Sequence, residues 1–202
     1  MGYVDLIEIL PVEWFGFNKQ EYLSRIKKDY IFNASFRGCK KLPDVFLYGR
    51  EWSYIKCLRK FQSNQNNMWG RFYKIYLKCL AYRYGIDVEG NSSFGDGLII
   101  GHWGRIVING DVKFGKELFI THGVTIGRDV RGKKKGVPSF GDRVCIRANS
   151  TVVGKVRIGD DVLIAPNTFV NFDVPSHSIV IGNPAKIISR ENATEGHIGS
   201  LK

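Results

Sequence analysis

GLIIGHWGRIVINGDVKFGKELFITHGVTIG, residues 97–127, decides the fold. Within it an apolar residue recurs at every sixth place: Ile100, Ile106, Val112, Leu118 and Val124. Upstream the step of six reaches Phe94 and Val88. Downstream it reaches Val130, then resumes after a break at Phe140 and runs through Ile146, Val152, Ile158, Ile164 and Val170. Glycine often follows, as at Gly95, Gly101, Gly141 and Gly159. A period of six matches neither the 3.6 of a helix nor the 2 of a strand. It matches a parallel β-solenoid whose turns are triangles, each hexad giving one short strand and one corner. The apolar residue points into the prism, small residues allow the bend, and residues eighteen apart stack. The break holds RGKKKGVPS (131–139), basic and Gly/Pro-bearing, which predicts an exposed loop leaving the solenoid.

The chain before Val88 carries no hexads. MWGRFYKIYLKCLAYRY (68–84) sets Trp69, Phe72, Tyr73, Tyr76, Leu77 and Leu80 at three- and four-residue steps, which predicts a helix. Further helices are expected over Trp52–Phe61 and Lys19–Ile31, with a turn at Pro43. The domain reading is therefore a helical region over 1–84, a mainly β solenoid over 85–190 with its exposed loop at 131–139, and a tail over 191–202.

Of the formal net charge of +11, most lies early: residues 1–85 hold 15 Lys/Arg against 7 Asp/Glu. A basic, aromatic helical region suits a polyanionic neighbour or a solvated surface. Met1–Leu10 has Asp5 and Glu8 and no basic residue, which makes a poor signal peptide, and no apolar run reaches the length of a membrane span. A cytoplasmic protein is expected. Cys39, Cys57, Cys79 and Cys145 form no CxxC pair and no ligand spacing with histidine, so reduced, mostly buried thiols and no metal are expected.

YGIDV (84–88), GLIIGHWGRIVI (97–108), GVTIG (123–127), GKKKGVP (132–138), IGDDVLIAPNTFV (158–170) and DVPSHSIVIGNPAKII (173–188) resemble the hexapeptide-repeat transferases. Within them the chain resembles the serine acetyltransferase-like branch, which includes acetyltransferases of capsular and exopolysaccharide synthesis of the colanic-acid type. The resemblance implies a homotrimer of left-handed β-helices, with acetyl-CoA as co-substrate in the groove between subunits and no tightly bound cofactor. It also implies a loop that helps cover the groove and a C-terminal segment that closes the last coil. The N-terminal helices are candidates to join two trimers.

Acyl transfer from a thioester to an alcohol needs a base for the hydroxyl proton and a donor for the oxyanion. His102, in GHWG, follows inward Ile100 and corner Gly101, at an edge of the prism. The resemblance makes it the catalytic base. Asp87, fifteen residues earlier, matches the family's partner carboxylate, placed to fix the imidazole and stabilise the imidazolium. His122 in THGVTIG lies just beyond one coil from His102 and is a candidate contact for acceptor or CoA. By motif position, the CoA contacts are the backbone of Arg128 near the thioester, then Ala148, Pro166 and Lys186, with Lys133, Lys134 and Lys135 near its phosphates. His177 and His197 carry no expected role.

Two departures bear on the acceptor. Serine acetyltransferases carry an aspartate before the catalytic histidine, where this chain has Gly101, and a second histidine where it has Val137. Trp103 follows the base and suits stacking on a sugar ring. The expectation is therefore an O-acetyltransferase acting on a saccharide in surface polysaccharide synthesis, with peripheral contact at the inner membrane face and no nucleic acid. Serine O-acetyltransferase of cysteine biosynthesis is the alternative. A zinc hydratase on the same fold and a non-catalytic trimer are the competitors from other classes. With only His102 and His122 in the repeat, the three histidines of such a zinc site are lacking.

Overall fold

This computed structural model describes residues 16–89 and 92–201. The expectation about Met1–Leu10 lies outside them. Four helices come first: α1 (Lys19–Phe36), α2 (Asp44–Leu47), α3 (Arg50–Gln62) and α4 (Met68–Tyr84). The bounds of α4 are those its periodicity predicts. Asn67 caps its start by accepting from the N–H groups of Trp69 and Gly70, and Gly85 ends it in the left-handed conformation. α1 runs five residues past Ile31, because Phe32, Asn33 and Ala34 are buried and extend its packed face. At Pro43 the expected turn is instead the N-cap of the short α2.

A left-handed β-solenoid of about five turns follows. Its strands, numbered in chain order, form three faces. The first face stacks β1 (Ile86–Val88), β3 (Ile106–Ile108), β5 (Thr125–Gly127), β8 (Thr151–Val153) and β11 (Phe169–Val170). The second stacks β2 (Leu98–Ile100), β4 (Leu118–Ile120), β7 (Val144–Ile146), β10 (Val162–Ile164) and β12 (Ser178–Gly182). The antiparallel β13 (Ala185–Ser189) ends it against β12. The third face holds β6 (Ser139–Phe140) and β9 (Arg157–Ile158), with single bridges at Ser93, Lys113 and Val174.

Each rung sends two side chains inward, so the interior is filled by paired columns. Phe94, Phe114 and Phe140 stack along one of them, 4.7 Å between successive ring centroids. That is the spacing of hydrogen-bonded strands, so each ring rides on its own rung. Thirteen of the hexad residues named above are buried, but Val130 is 66% exposed and opens the loop. The hexad also changes member along the way. Val88, Phe94 and Ile100 are the second inward residue of their rungs, whereas Ile106, Val112, Leu118 and Val124 are the first. The slip falls between Ile100 and Ile106. Stacked residues are accordingly 20, 18, 26, 18 or 16 apart rather than always eighteen, as in Ile86↔Ile106, Val107↔Thr125, Thr125↔Thr151, Thr151↔Phe169 and Ile164↔Val180.

The 26-residue coil contains the loop. It leaves the prism after β5 as expected, but it folds back on its own chain instead of standing clear. Asp129 and Gly136 pair across it, Lys155 N–H donates to the Lys134 carbonyl, and Lys134 Nζ reaches Asn171 O at 2.7 Å. Among the cysteines Cys57 and Cys145 are buried, Cys39 is half-buried, and Cys79 is exposed on α4, which departs from the expectation of mostly buried thiols. Among the described residues no helix is long and apolar enough to cross a membrane, and no cluster of three or more His, Cys, Asp or Glu could hold a metal.

Among the described residues, only the second face is covered. Its outward Ile99, Phe119, Cys145 and Leu163 form a cluster with Phe32 and Phe36 of α1 and with Ile198 and Leu201 of the C-terminal tail. The helical base is joined to the first coil by a buried ion pair. Arg59 on α3 and Asp29 on α1 are both 0% exposed. Arg59 donates from Nε and Nη2 to the Asp29 carboxylate at 2.7 and 2.9 Å, and also to Gln62 Oε1 and the carbonyls of Phe94 and Gly95. Asp29 Oδ1 accepts in turn from the N–H groups of Gly97 and Leu98. Every donor of the guanidinium is used. Arg59→Met should lower the unfolding free energy by about 3–5 kcal/mol, because it leaves a carboxylate buried without its cation. A denaturant midpoint within error of the wild type would show that the pair does not join the two parts.

The tail turns back down the second face. Asp161 accepts from Ala193 N–H, Thr194 N–H and the Thr194 hydroxyl, and lies 2.9 Å from His177 Nδ1. Burial alone would raise the Asp161 carboxyl, but these hydrogen bonds outweigh it and hold the group below its ordinary value. Asp161 raises His177 above its ordinary 6.5. The raised imidazolium stabilises the latch fully below pH 6.5 and loses that contribution as pH rises through its shifted value. The depressed carboxylate stabilises above its unfolded value of about 4 and loses that as pH falls through its own. Protection of the Ala193 and Thr194 amides from hydrogen exchange should therefore peak between about pH 4 and 6.5. A profile flat from pH 4 to 9 would rule out the latch.

Candidate active site

His102 stands at the corner that turns the second face into the first. Ile100 lies twenty residues below its partner Ile120, but Val107 only eighteen below Thr125. The corner Gly101–Arg105 is therefore two residues longer than Thr121–Gly123 on the rung above. This is the place where the hexad slips. The extra length carries His102 and Trp103 outside the prism, and both are exposed. Arg105 closes the turn at φ 51°, followed on successive rungs by Gly123, Asn149 and Asn167, all at positive φ. Gly123 cannot be larger, since a Cβ there would lie 2.0 Å from Asn149 Oδ1.

Above His102 the corner residues rise in a column. Gly123 N–H donates to Gly104 O, Asn149 N–H to His122 O, and Asn167 N–H to Ala148 O, so His122, Ala148 and Pro166 stand one above another. Pro166 lies two strand spacings, roughly 10 Å, above His122. Gly182 stands on the next rung, tied by its N–H to Thr168 Oγ1, and Lys186 follows on β13 at the top. Four residues chosen from separate motifs thus share one edge with the histidine. The rings of His102 and His122 lie 5.8 Å apart at 63°, and His122 Nδ1 is 3.3 Å from Thr121 Oγ1.

Two candidates lie elsewhere. Arg128 sits after β5, at the opposite edge of the first face, ion-paired with Asp111. Asp87 is on the outer side of β1, one rung below Val107, with its carboxylate 53% exposed and 3.9 Å from Lys78 Nζ. Within the chain it makes no hydrogen bond to His102. Lys133 and Lys135 are exposed on the loop.

Below His102 the corner meets the first turn of α3. Trp103 N–H donates to Glu51 Oε1 at 3.3 Å, and the Arg50 guanidinium lies 4.1 Å from the Trp103 ring centroid. These two charged residues are absent from the sequence reading. They lie about fifty positions from His102 on an element with no hexad, and no motif marks them. His197, half-buried in the tail, is lowered by burial and by Arg147 and Arg190, and lies on the covered second face, away from this corner.

No family profile matches the chain. Among curated proteins it is 37% identical over 124 residues to the serine acetyltransferase of Helicobacter pylori, a match covering 60% of this chain and 72% of that protein. Among solved structures it resembles Neisseria gonorrhoeae serine acetyltransferase in complex with serine, with TM-score 0.68 and 26% identity over 83% of this chain and 69% of that one. It also shares the fold of Brucella abortus serine acetyltransferase in complex with coenzyme A, with TM-score 0.70 and 22% identity over 86% and 70% of the two chains. The chain spans between 36% and 72% of the length of the first curated relatives it matches.

The expected saccharide acceptor is overturned by these relatives, which are serine acetyltransferases and give no support to a polysaccharide branch. Both physical arguments for a sugar also dissolve. Gly101 is small because a Cβ there would meet the Phe119 ring at 2.7 Å, so packing on the second face sets it. Trp103 has one face taken by Arg50. Val137, the other departure, packs against the solenoid core. With 37% identity over 124 residues to a relative of which it covers 72%, the chain belongs to the serine acetyltransferase family of hexapeptide-repeat proteins.

Proposed function

We propose that the protein transfers the acetyl group of acetyl-CoA to the hydroxyl of serine. The observation that carries this is the position of His102, held outside the prism by a lengthened corner, at the foot of an open column, in a chain of this family. Imidazole suits a base that must accept a proton and return it near neutral pH. The serine oxygen attacks the thioester carbon as its proton passes to His102, and the sulfur leaves with that proton. No metal is needed for either step.

The column gives the donor its path. Acetyl-CoA runs down the edge from Lys186, past Pro166 and Ala148, and brings its thioester to the level of His122 and His102. Its nucleotide end lies by Lys186, with Lys133 and Lys135 as further phosphate contacts. The acceptor enters from below. Serine is a zwitterion, and a site for it needs an anion for the ammonium and a cation for the carboxylate. Glu51 and Arg50 supply one of each beside Trp103, which compensates for Gly101 and Val137 at the positions where relatives carry charged or basic groups. The open first face, with Val107 and Phe169 exposed on it, supports a homotrimer whose neighbouring subunit completes the groove and brings Arg128 to the thioester. Asp87, its carboxylate half-exposed on this face beside Lys78, is the positioning group for His102 in that assembly.

CoA release from acetyl-CoA, followed with a thiol reagent, should depend on serine and fall by about a hundredfold or more in His102→Ala. Absence of serine-dependent release, with acetyl-CoA still bound, would refute the assignment. Asp87→Asn should lower kcat about tenfold or more while leaving KM for acetyl-CoA nearly unchanged. An unchanged kcat would remove Asp87 from the site.

A further inference from the structure

We infer that the outward face of α4 docks on an anionic lipid surface. The inference is independent of the acceptor and of the chemistry at His102. α4 carries two apolar stripes. Tyr73, Leu77 and Leu80 are buried, and on that side the helix meets α3 and β1. Met68, Phe72, Ile75, Cys79 and Tyr82 repeat the same three- and four-residue steps on the opposite side. This second stripe is left open. Met68, Phe72, Ile75 and Tyr82 are between 54% and 92% exposed, and Cys79 is exposed. A surface helix needs one apolar stripe, facing the core, and a second one marks contact with something outside the chain.

Charge decides what that is. Met68–Tyr84 holds four basic residues, Arg71, Lys74, Lys78 and Arg83, and no acidic one. The helical repeat sets Arg71, Lys74 and Lys78 along one border of the stripe and Arg83 at the other. Lys78 Nζ lies 3.9 Å from Asp87, but Arg71, Lys74 and Arg83 form no ion pair among the described residues. A helix that pairs with a second copy of itself carries both signs beside its apolar seam. Here only cations would meet, so the pattern disfavours a second copy.

An apolar, aromatic stripe bordered by cations alone suits the interface of an anionic bilayer. The rings sit at the acyl boundary, and the ammonium and guanidinium groups meet phosphates. The long stems of lysine and arginine let the charges reach the headgroups while the rings lie deeper. The surplus of positive charge in residues 1–85 gives the helical region a field of the same sign. The contact is peripheral, since among the described residues no helix is long and apolar enough to cross a membrane.

Flotation tests this with vesicles of phosphatidylcholine alone and of phosphatidylcholine mixed with phosphatidylglycerol. The wild type should float with the mixed vesicles, stay in solution with phosphatidylcholine alone, and come off as salt is raised. Phe72→Ser with Ile75→Ser should weaken the partition by about tenfold or more, and Arg71→Glu with Lys74→Glu by about a hundredfold or more. These side chains are exposed and lie outside the site described above, so each variant should keep the wild-type thermal midpoint and the wild-type rate of acetyl transfer. An environment-sensitive dye on Cys79, in a Cys39→Ser background, should shift to the blue on the mixed vesicles, as a group entering the bilayer does. No partition on either kind of vesicle, equal partition on both, variants that float as the wild type does, or a dye that stays in water would overturn the proposal. A Phe72→Ser, Ile75→Ser variant whose assembly mass falls by light scattering while its flotation is unchanged would overturn it in favour of a second copy on this face.

Discussion

The site depends on one buried ion pair. Arg59 and Asp29 bring together two helices and the first coil, and their hydrogen bonds go to the backbone of Gly95, Gly97 and Leu98, the residues that lead into β2. A bidentate pair with every donor used fixes direction as well as distance. It sets how α3 lies against the first coil, and the start of α3 carries Arg50 and Glu51 to the His102 corner. Such a pair adds little to stability compared with apolar packing, yet removing one partner strands a charge. In this chain it specifies how the base meets the solenoid.

Above that base, the solenoid acts as a ruler. Backbone hydrogen bonds repeat each corner at the strand spacing, so side chains from distant motifs fall into line. The ruler has two irregular marks. One is the 26-residue coil, whose extra length folds up against the coils above. The other is the two-residue excess at Gly101–Arg105, which puts His102 outside while every corner above it stays tight. The GHWG histidine is placed by a departure from the repeat, and the repeat supplies the rigidity around it.

The surroundings of the His102 corner have two origins. The edge above it is built from corners of successive rungs, with small or rigid residues at Ala148, Pro166 and Gly182. Below it stands the helical region, with charge at Arg50 and Glu51. The tail covers the second face and leaves the first open, so the face that would meet a neighbouring subunit is the one beside the His102 corner.

The sequence by itself determined the solenoid, the bounds of α4 and the point where a loop leaves the prism. These follow from local periodicity, from capping residues next to the elements they cap, and from the break in the hexads. The stacking of Ala148 and Pro166 followed once the coil was assumed, whereas His122 falls into line with them only across the 26-residue coil. The hexad slip stayed hidden because both inward residues are apolar on the two strands that flank it, Leu98 and Ile100 before and Ile106 and Ile108 after, so a count of six runs through the slip without meeting a polar residue. Gly101 and Trp103 were misread as signs of the acceptor, because their constraints come from Phe119 and Arg50, neither adjacent to them in the chain. Asp29, Arg59, Glu51 and Arg50 had no signal at all. A charged residue on a helix reads as solvent-facing until something distant buries or borrows it, and only the tertiary structure decides which.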